Sequence, residues 1–209
     1  MRSPVLKGEE PAAPFLSANQ AARRQRIVDA ALALLEANEY ERIQVRDVAE
    51  EASVALGTLY RYFSTKEHLF GEVLVQWAAR LGTSTTRRPL AGADRAARLE
   101  EALHRSVRAF ERRPQLAKLV SRLQVSDDPS AADVLNRLGS ATNEVYLTVL
   151  EDLDPGVATS TVRVVDAVLD SSLRAWSAGR LPIREVYRSL SDAVTLLLPA
   201  LTTTARSVQ

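Results

Sequence analysis

The stretch VRDVAEEASVALGTLYRYFSTKEHLF, residues 45–70, contains two short helical patterns separated by only two residues. The first pattern runs from about Val45 to Ala52 and the second from about Ala55 to Phe63, with Ser53 and Val54 between them. Two helices joined by so short a turn must cross steeply, and this is the spacing of a helix-turn-helix. The stretch therefore predicts that motif.

The second of these helices carries side chains that a core does not need. Leu59 and Phe63 are four residues apart and share one face, so we expect them to pack inward. Tyr60 and Tyr62 then lie on other faces. A tyrosine hydroxyl can donate a hydrogen bond to a phosphate oxygen while its ring packs on the protein. The alternative is that all four aromatic residues of this stretch belong to the core.

The rest of the chain also has helical periodicity. Apolar residues recur at three- and four-residue spacing from Ala21, which predicts a first helix ending near Asn38. A further helix is predicted from about Lys66 to about Leu81, and a segment rich in Gly, Thr and Pro at residues 81–94 then separates two regions. Beyond it we expect five helices, four of which begin at or next to a proline (Pro114, Pro129, Pro155 or Pro182), as proline's fixed φ favours. These five are Arg95–Arg112, Pro114–Gln124, Ser130–Leu153, Gly156–Ala178 and Pro182–Ala205.

No run of alternating β-branched residues predicts a strand. The expected fold class is therefore all-α, with about nine helices. An N-terminal three-helix unit holds the helix-turn-helix, and a C-terminal helical bundle follows it.

Composition narrows the class of protein. With 46% apolar and 25% charged residues, the 209-residue chain resembles an ordinary soluble globular protein. No apolar run reaches the roughly 18 residues of a membrane span, and residues 1–20 lack the apolar segment of a secretory signal. The absence of cysteine excludes disulfides and thiolate zinc sites. We expect a cytoplasmic protein that has no membrane contact, no metal and no cofactor.

The charge balance argues against binding nucleic acid by bulk charge. The net charge is +1, and residues 19–68 hold seven basic against eight acidic side chains. Any contact with DNA must therefore come from the placement of a few groups.

Residues 23–70 resemble the TetR family of bacterial transcriptional repressors, in the order helix, VRDVA, turn, GTLYRYF, KEHLF. The resemblance implies a DNA-binding helix-turn-helix followed by a helical domain that dimerises and binds a ligand. It implies three parts of the chain: a flexible arm at residues 1–20, a DNA-binding domain at 21–70, and a ligand-binding and dimerisation domain at 71–209.

The resemblance also implies roles for individual residues on operator DNA. Gly57 and Thr58 would lie at the start of the recognition helix in the major groove, Tyr60 and Tyr62 would touch phosphates, and Lys66 would hold another phosphate. The predicted DNA-binding residues are Arg23, Arg24, Gln44, Val45, Arg46, Ala55, Leu56, Gly57, Thr58, Tyr60, Tyr62 and Lys66. Arg23 and Arg24 could equally form a solvated helix face.

Several positions depart from the common family pattern. The turn has Ser53 where glycine is usual, and Ala55 stands where a serine would cap the recognition helix. Leu56 replaces a polar residue and can only make apolar contact with a base, for example with a thymine methyl group. Gln44 stands where a capping threonine is usual, and with Arg46 it could reach base edges or the backbone.

The second region has two features of interest. Apolar residues that could line a cavity are Leu103, Val107, Phe110, Leu116, Leu119, Leu123, Val145, Tyr146, Val149, Leu173 and Trp176, although a filled core fits each of them as well. The last two helices carry apolar stripes, which normally indicate core. Because the family pairs these helices with their copies, we expect a homodimer through them.

Within the family, RIVDAALALLEANEYERIQVRDVAEEASVALGTLYRYF resembles the subgroup that represses cholesterol catabolism in actinobacteria. This resemblance implies an apolar inducer such as a steroid or a fatty acyl-CoA, whose phosphates Arg105, Arg108, Arg112 and Arg113 would suit. A DNA-binding regulator that senses no small molecule and acts through a protein partner is the alternative.

An enzyme is the other class to consider. Glu101 and His104 have the spacing of one half of a carboxylate di-metal site, but no second copy of the motif is present. The sequence also lacks a nucleophile elbow and a phosphate-binding loop, so we expect no catalysis.

Overall fold

The computed structural model describes residues 17–87, 91 and 94–202, with only the backbone described for residues 83–87. The described part consists of helices connected by short loops and contains no strand, which confirms the all-α prediction. The helices are α1 Ala18–Ala37, α2 Val45–Glu51, α3 Leu56–Tyr62, α4 Lys66–Arg87, α5 Arg95–Glu111, α6 Pro114–Leu123, α7 Pro129–Val149, α8 Pro155–Ser177 and α9 Ile183–Thr202, with a 3-10 turn at Tyr40–Arg42. None of the described helices is both long and apolar enough to cross a bilayer.

The first helix begins earlier than the sequence predicted. Ser17 and Gln20 form a reciprocal cap in which the Gln20 amide donates to Ser17 Oγ at 3.3 Å and the Ser17 amide donates to Gln20 Oε1 at 2.8 Å. The arm predicted at residues 1–20 is therefore too long by its last residues, and residues 1–16 lie outside the described part. The 3-10 turn was also missed.

The fourth helix is longer than expected. It continues through part of the Gly- and Thr-rich segment to Arg87 instead of ending near Leu81. Residues 88–90, 92 and 93 of the predicted boundary lie outside the described part. The helix thus reaches from the helix-turn-helix far into the second region.

Two apolar cores hold the molecule together. The first is built from α1 to α4 with one side of α6 and α7, and it includes Leu59 and Phe63, both fully buried as predicted. The second lies between α5, α8 and α9 and the C-terminal part of α7. Burying such side chains contributes roughly 1.5–3 kcal/mol each.

The two long helices α4 and α7 approach closely at one glycine. A Cβ atom at Gly71 would lie 2.4 Å from Cγ2 of Val134, a separation that no real Cβ contact shows. Glycine is therefore required here by packing.

Ion pairs join the helix-turn-helix to the second region. Glu72 on α4 is buried and lies 3.0 Å from Arg24 on α1 and 3.2 Å from Arg137 on α7. Burial alone would raise the pKa of Glu72, but the hydrogen bonds and charges of these two guanidinium groups hold the pKa below its usual range. One carboxylate thereby links three helices.

The start of α6 is tied to the end of α1 and the following turn. Arg113 Nε lies 2.6 Å from Glu36 Oε1, and Lys118 Nζ lies 3.0 Å from Glu39 Oε1. The Gln115 side chain also donates to Glu39, at 3.1 Å. These contacts fasten α6 to the DNA-binding unit.

Candidate DNA-binding surface and ligand cavity

The turn between α2 and α3 adopts the conformation that glycine favours. Ser53 has a φ of +52°, which lies in the left-handed region. The amides on either side of it remain bonded, since Ser53 N donates to the Glu50 carbonyl at 3.0 Å and Val54 N donates to the Ala49 carbonyl at 2.9 Å. The turn therefore tolerates serine with some backbone strain.

The start of α3 presents a bare and exposed face. Ala55 occupies the N-cap and makes no side-chain cap, as the sequence predicted. Leu56 and Tyr60, one turn apart, are 42% and 49% exposed. A Cβ atom at Gly57 would have no described neighbour within 4 Å, so no contact within the described part of the chain requires glycine at this position.

The structure places seven of the twelve predicted DNA-binding residues on the surface. The exposed residues are Arg23, Gln44, Arg46, Ala55, Leu56, Gly57 and Tyr60. The half-buried residues are Arg24, Val45, Thr58, Tyr62 and Lys66. The exposed predicted residues within α3 are Leu56, Gly57 and Tyr60, and they lie within its first five residues.

The Lys66 ammonium is less free than the sequence suggested. It donates a hydrogen bond to the Tyr40 carbonyl at 2.6 Å and lies 4.1 Å from the centre of the Tyr40 ring. Partial burial lowers the pKa of Lys66. An ammonium has three N–H groups, so two remain for other acceptors.

Arg24 also faces a partner inside the protein. Its guanidinium pairs with Glu72 and lies 5.1 Å from the centre of the Phe63 ring. The buried carboxylate thus holds the Arg24 side chain against α4, and its expected position beside the DNA backbone stays a prediction. Arg23 is exposed on the neighbouring position.

Thr65, the residue before α4, caps this helix. Thr65 Oγ1 accepts a hydrogen bond from the His68 amide at 3.0 Å. The Ser64 amide in turn donates to His68 Nδ1 at 3.3 Å, which places the imidazole proton of the neutral ring on Nε2. Thr65 and His68 thus accept the backbone hydrogen bonds at the N-terminus of α4.

A cavity of about 230 Å³ lies among the middle helices α4 to α8. Its apolar wall includes Trp77 and Phe110, whose ring centres are 4.8 Å apart. The lining residues are Trp77, Ala78, Leu81, Gly82, Ser106, Phe110, Val120, Gln124, Leu135, Leu138, Gly139, Ala141, Thr142, Val145, Asp166, Leu169, Asp170 and Leu173. A filled bundle would not have this space.

Only part of the predicted ligand set lines this cavity. Phe110, Val145 and Leu173 do so. Those that do not are Leu103, Val107, Leu116, Leu119, Leu123, Tyr146, Val149 and Trp176. Three of these belong to the first core and the other five pack in or against the second, because helical spacing identifies an inward face without distinguishing a packed volume from an open one.

The polar groups of the cavity wall were missed by the sequence reading. Asp166 and Asp170 are one turn apart on α8 and interrupt its apolar stripe, and this pattern was the available signal. Burial and the neighbouring Asp170 charge raise the pKa of Asp166. The Asp170 carboxylate accepts hydrogen bonds from Gln124 and Arg174.

The residues considered for catalysis and for phosphate binding have partners within the protein. Glu101 pairs with Arg105 at 2.9 Å and with Arg108 at 2.8 Å, and His104 stacks edge-on against Tyr187. Together with the Arg113–Glu36 pair, these contacts occupy three of the four arginines expected to meet coenzyme A phosphates. In the described part, no three potential ligands cluster to hold a metal.

The outer faces of α8 and α9 expose apolar side chains that the predicted stripes did not include. Of the nine residues in the predicted stripes, those buried within the chain are Val162, Val165, Leu169, Val186, Leu190 and Leu201. Trp176, Ile183 and Leu197 are half-buried. Val164 on α8 and Leu196 on α9 instead point outward, at 45% and 82% exposure.

Comparison with protein families gives two matches that together cover most of the chain. Residues 27–73 match the model of the bacterial regulatory proteins of the tetR family. Residues 92–197 match a tetracyclin repressor-like C-terminal domain.

Curated relatives and solved structures agree with these matches. The chain is 37% identical over 180 residues to the HTH-type transcriptional repressor KstR of Mycolicibacterium smegmatis, which covers 86% of this chain and 88% of the relative. It is 36% identical over 185 residues to KstR of Rhodococcus jostii, covering 88% of this chain and 86% of the relative.

Among solved structures, a TetR transcriptional regulator from Rhodococcus sp. RHA1 superposes with a TM-score of 0.75 at 27% identity, covering 86% of this chain and 97% of that one. Thermus thermophilus FadR, a TetR family repressor in complex with lauroyl-CoA, has the same fold with a TM-score of 0.70 at 21% identity, covering 89% of this chain and 98% of that one.

Proposed function

Because the chain belongs to the TetR family of bacterial transcriptional regulators, we propose that it is a homodimeric repressor released from its operator by an apolar small molecule. This function places the protein in the cytoplasm, where bacterial DNA lies. The exposed start of α3 is the single observation that carries the DNA-binding part of the proposal.

The α3 face suits the major groove. Gly57 leaves the backbone uncovered, Leu56 offers an apolar contact, and Tyr60 offers a hydroxyl on the same side. In a helix-turn-helix the N-terminal residues of the recognition helix are the ones that contact base edges in the major groove. Tyr60 would donate to a phosphate while Leu56 meets a base edge.

Ligand release is supported by helices that contribute both to the cavity and to the DNA-binding unit. Helix α6 contributes Val120 and Gln124 to the cavity wall near its C-terminal end, while Arg113 and Lys118 fasten its other half to Glu36 and Glu39. A ligand that displaces the wall of α6 would therefore move the helix-turn-helix.

Helix α4 provides a second connection. Its first turn carries Lys66 beside the recognition helix, and Trp77 and Leu81 further along line the cavity. A dimeric repressor must hold its two recognition helices about 34–36 Å apart to meet successive major grooves, so a small rotation of α4 is enough to abolish binding.

Operator binding is tested with a duplex selected from random DNA by the purified protein. We expect Tyr60→Phe to weaken binding, measured by fluorescence anisotropy, and to reduce the slope of log affinity against log salt if the lost contact is to a phosphate. Tyr187→Phe is the matched control, since its hydroxyl donates to Glu111 far from α3. Equal affinities for the wild type and Tyr60→Phe would remove Tyr60 from the interface, and the selection of no duplex would remove the function.

Ligand release is tested on the same protein–DNA complex. A panel of steroids and fatty acyl-CoAs is added while anisotropy reports release and a thermal melt of the free protein reports binding. We expect at least one apolar compound to raise the Tm and release the duplex. If no compound changes either signal, a regulator that acts through a protein partner is favoured.

A further inference from the structure

The cavity wall contains hydrogen-bond acceptors that the described part of the chain does not satisfy. Asp166 lines the cavity, and among the described residues no hydrogen-bond donor or cation pairs with its carboxylate. Gln124 also lines the cavity, and its Oε1 atom is buried without a hydrogen-bond partner. An unsatisfied buried acceptor is costly, so a site that keeps Gln124 Oε1 buried and unpaired near the half-buried Asp166 carboxylate is suited to a ligand that supplies a donor.

The orientation of the Gln124 amide is fixed by its neighbour. Its Nε2 donates to the Asp170 carboxylate, and a flipped amide would instead bring an oxygen against a negative charge. The Oε1 atom is therefore an acceptor in this cavity. The orientation leaves Gln124 unable to offer its N–H group to a ligand.

The hydroxyl groups of the wall add little donor capacity. Thr142 Oγ1 donates to the Leu138 carbonyl at 3.0 Å. Ser106 Oγ shares a hydrogen bond of 2.9 Å with the Tyr146 hydroxyl. Both hydroxyls already have partners within the protein.

The charge of the wall opposes anions. Asp166 and Asp170 both line the cavity, and Arg174 pairs with Asp170 alone. A ligand carboxylate placed beside Asp166 would meet a like charge at short range, and the two charges would repel each other.

We propose that the inducer is an apolar molecule whose buried end carries a hydroxyl or amino group that donates to Asp166 and Gln124, and not a free carboxylate. This rests on the proposed function and specifies the chemistry of its ligand. The remaining wall is apolar, and a volume of about 230 Å³ exceeds the roughly 150 Å³ that holds benzene but is below the 300–1,000 Å³ of a drug-sized pocket. A short aliphatic chain or one end of a larger molecule therefore fits.

The test uses three eight-carbon probes that differ only at one end: 1-octanol, octyl methyl ether and octanoate. Affinity for the full-length, DNA-free protein is measured by isothermal titration calorimetry at neutral pH. We expect 1-octanol to bind about tenfold more tightly than the ether, the usual gain from a hydrogen bond to a charged group, and octanoate to bind more weakly than either.

Two variants assign the preference to Asp166. Asp166→Leu should make the alcohol and the ether bind equally. Asp166→Asn keeps the shape and an acceptor while removing the charge, so octanoate should gain affinity relative to 1-octanol, and this comparison stands even if Asp166→Leu fails to fold. Circular dichroism checks the fold of both variants.

Equal binding of alcohol and ether by the wild type, tighter binding of octanoate, or binding of none of the three would overturn the inference. Operator release is measured separately with the same probes. Release by all probes alike retains the repressor function and removes the inference. A clear preference for the alcohol without release retains the ligand chemistry inferred for the cavity and removes ligand-controlled release from the proposed function.

Discussion

Two residues beside the turn of the helix-turn-helix have opposite backbone requirements. Ser53 occupies the left-handed region, where glycine is favoured, while Gly57 lies in an ordinary helical turn with open space around it. The local fold would thus accept glycine at residue 53 and a larger residue at 57. The glycine at 57 is best explained by a surface outside the chain.

Gly57→Ala should separate folding from DNA binding. Alanine favours a helix over glycine by up to about 1 kcal/mol, and the new methyl group meets no described atom within 4 Å, so the free energy of unfolding should stay the same or rise. Operator affinity should fall because the methyl group crowds the DNA. Urea unfolding and anisotropy measure the two effects, and a stable variant with unchanged affinity would contradict the assignment of this surface.

Ser53→Gly should stabilise the protein. Relief of the positive φ gains about 1 kcal/mol, of which part is offset by the greater freedom of glycine in the unfolded chain. We expect a net gain of roughly 0.5 kcal/mol in urea unfolding. Ser53→Ala is the control, since alanine has the same strain and should give no gain. A gain of equal size from alanine would show that the backbone is not the cause.

At the scale of helices, the buried Glu72 carboxylate determines how three of them meet. It joins α4 to Arg24 on α1 and to Arg137 on α7. Because the Arg137 side chain is 44% exposed, solvent screens its attraction to Glu72. Because the folded pKa of Glu72 is depressed, its contribution to stability is complete above the unfolded pKa and is lost as pH falls through the folded pKa.

Glu72→Gln should therefore destabilise the protein at neutral pH and much less in acid. Loss of the charged hydrogen bonds costs about 1–3 kcal/mol at pH 7. As pH falls below the ordinary range of a glutamate, the wild type loses the same contribution and the two proteins converge. Urea unfolding across this pH range measures the difference, and a deficit that is constant with pH would indicate a packing effect instead.

At the scale of the whole molecule, the apolar outer faces of α8 and α9 are the part of the described surface best suited to a second copy. Val164 and Leu196 are exposed there, and Ser160 and Ala167, one turn from Val164 on either side along α8, are small enough for a helix to approach closely. Helix pairs from two copies would form a four-helix contact with two-fold symmetry.

Val164→Arg combined with Leu196→Arg should give a monomer. Two buried charges on each copy cannot be paired across a symmetric apolar contact, so the mass measured by light scattering at micromolar concentration should halve. Val125→Arg is the control, because Val125 is 74% exposed in the loop after α6 and lies on neither helix. A wild-type protein that is already monomeric would contradict the homodimer.

The sequence predicts the helices well because their starts are locally marked. Pro114, Pro129 and Pro155 each occupy the first position of a helix, as proline's fixed φ favours. The cavity was predicted less well: Leu103 and Phe110 have the same apolar character and lie on one helix, yet only Phe110 meets open space. The Arg24–Glu72 pair could not be foreseen, since it joins residues far apart in sequence.

The position of the Arg24–Glu72 ion pair limits which DNA-binding domains can be combined with this C-terminal domain. Arg24 belongs to the predicted DNA-binding domain, whereas Glu72 and Arg137 lie beyond the expected domain boundary at residues 70–71. A chimera that joins a foreign DNA-binding domain to this C-terminal domain therefore needs a cation at the position of Arg24. Without one, the Glu72 carboxylate keeps only Arg137 as a cationic partner. Functional pairs of DNA-binding and C-terminal domains would then need matched charges at their interface. Recombination between unmatched domains would be selected against.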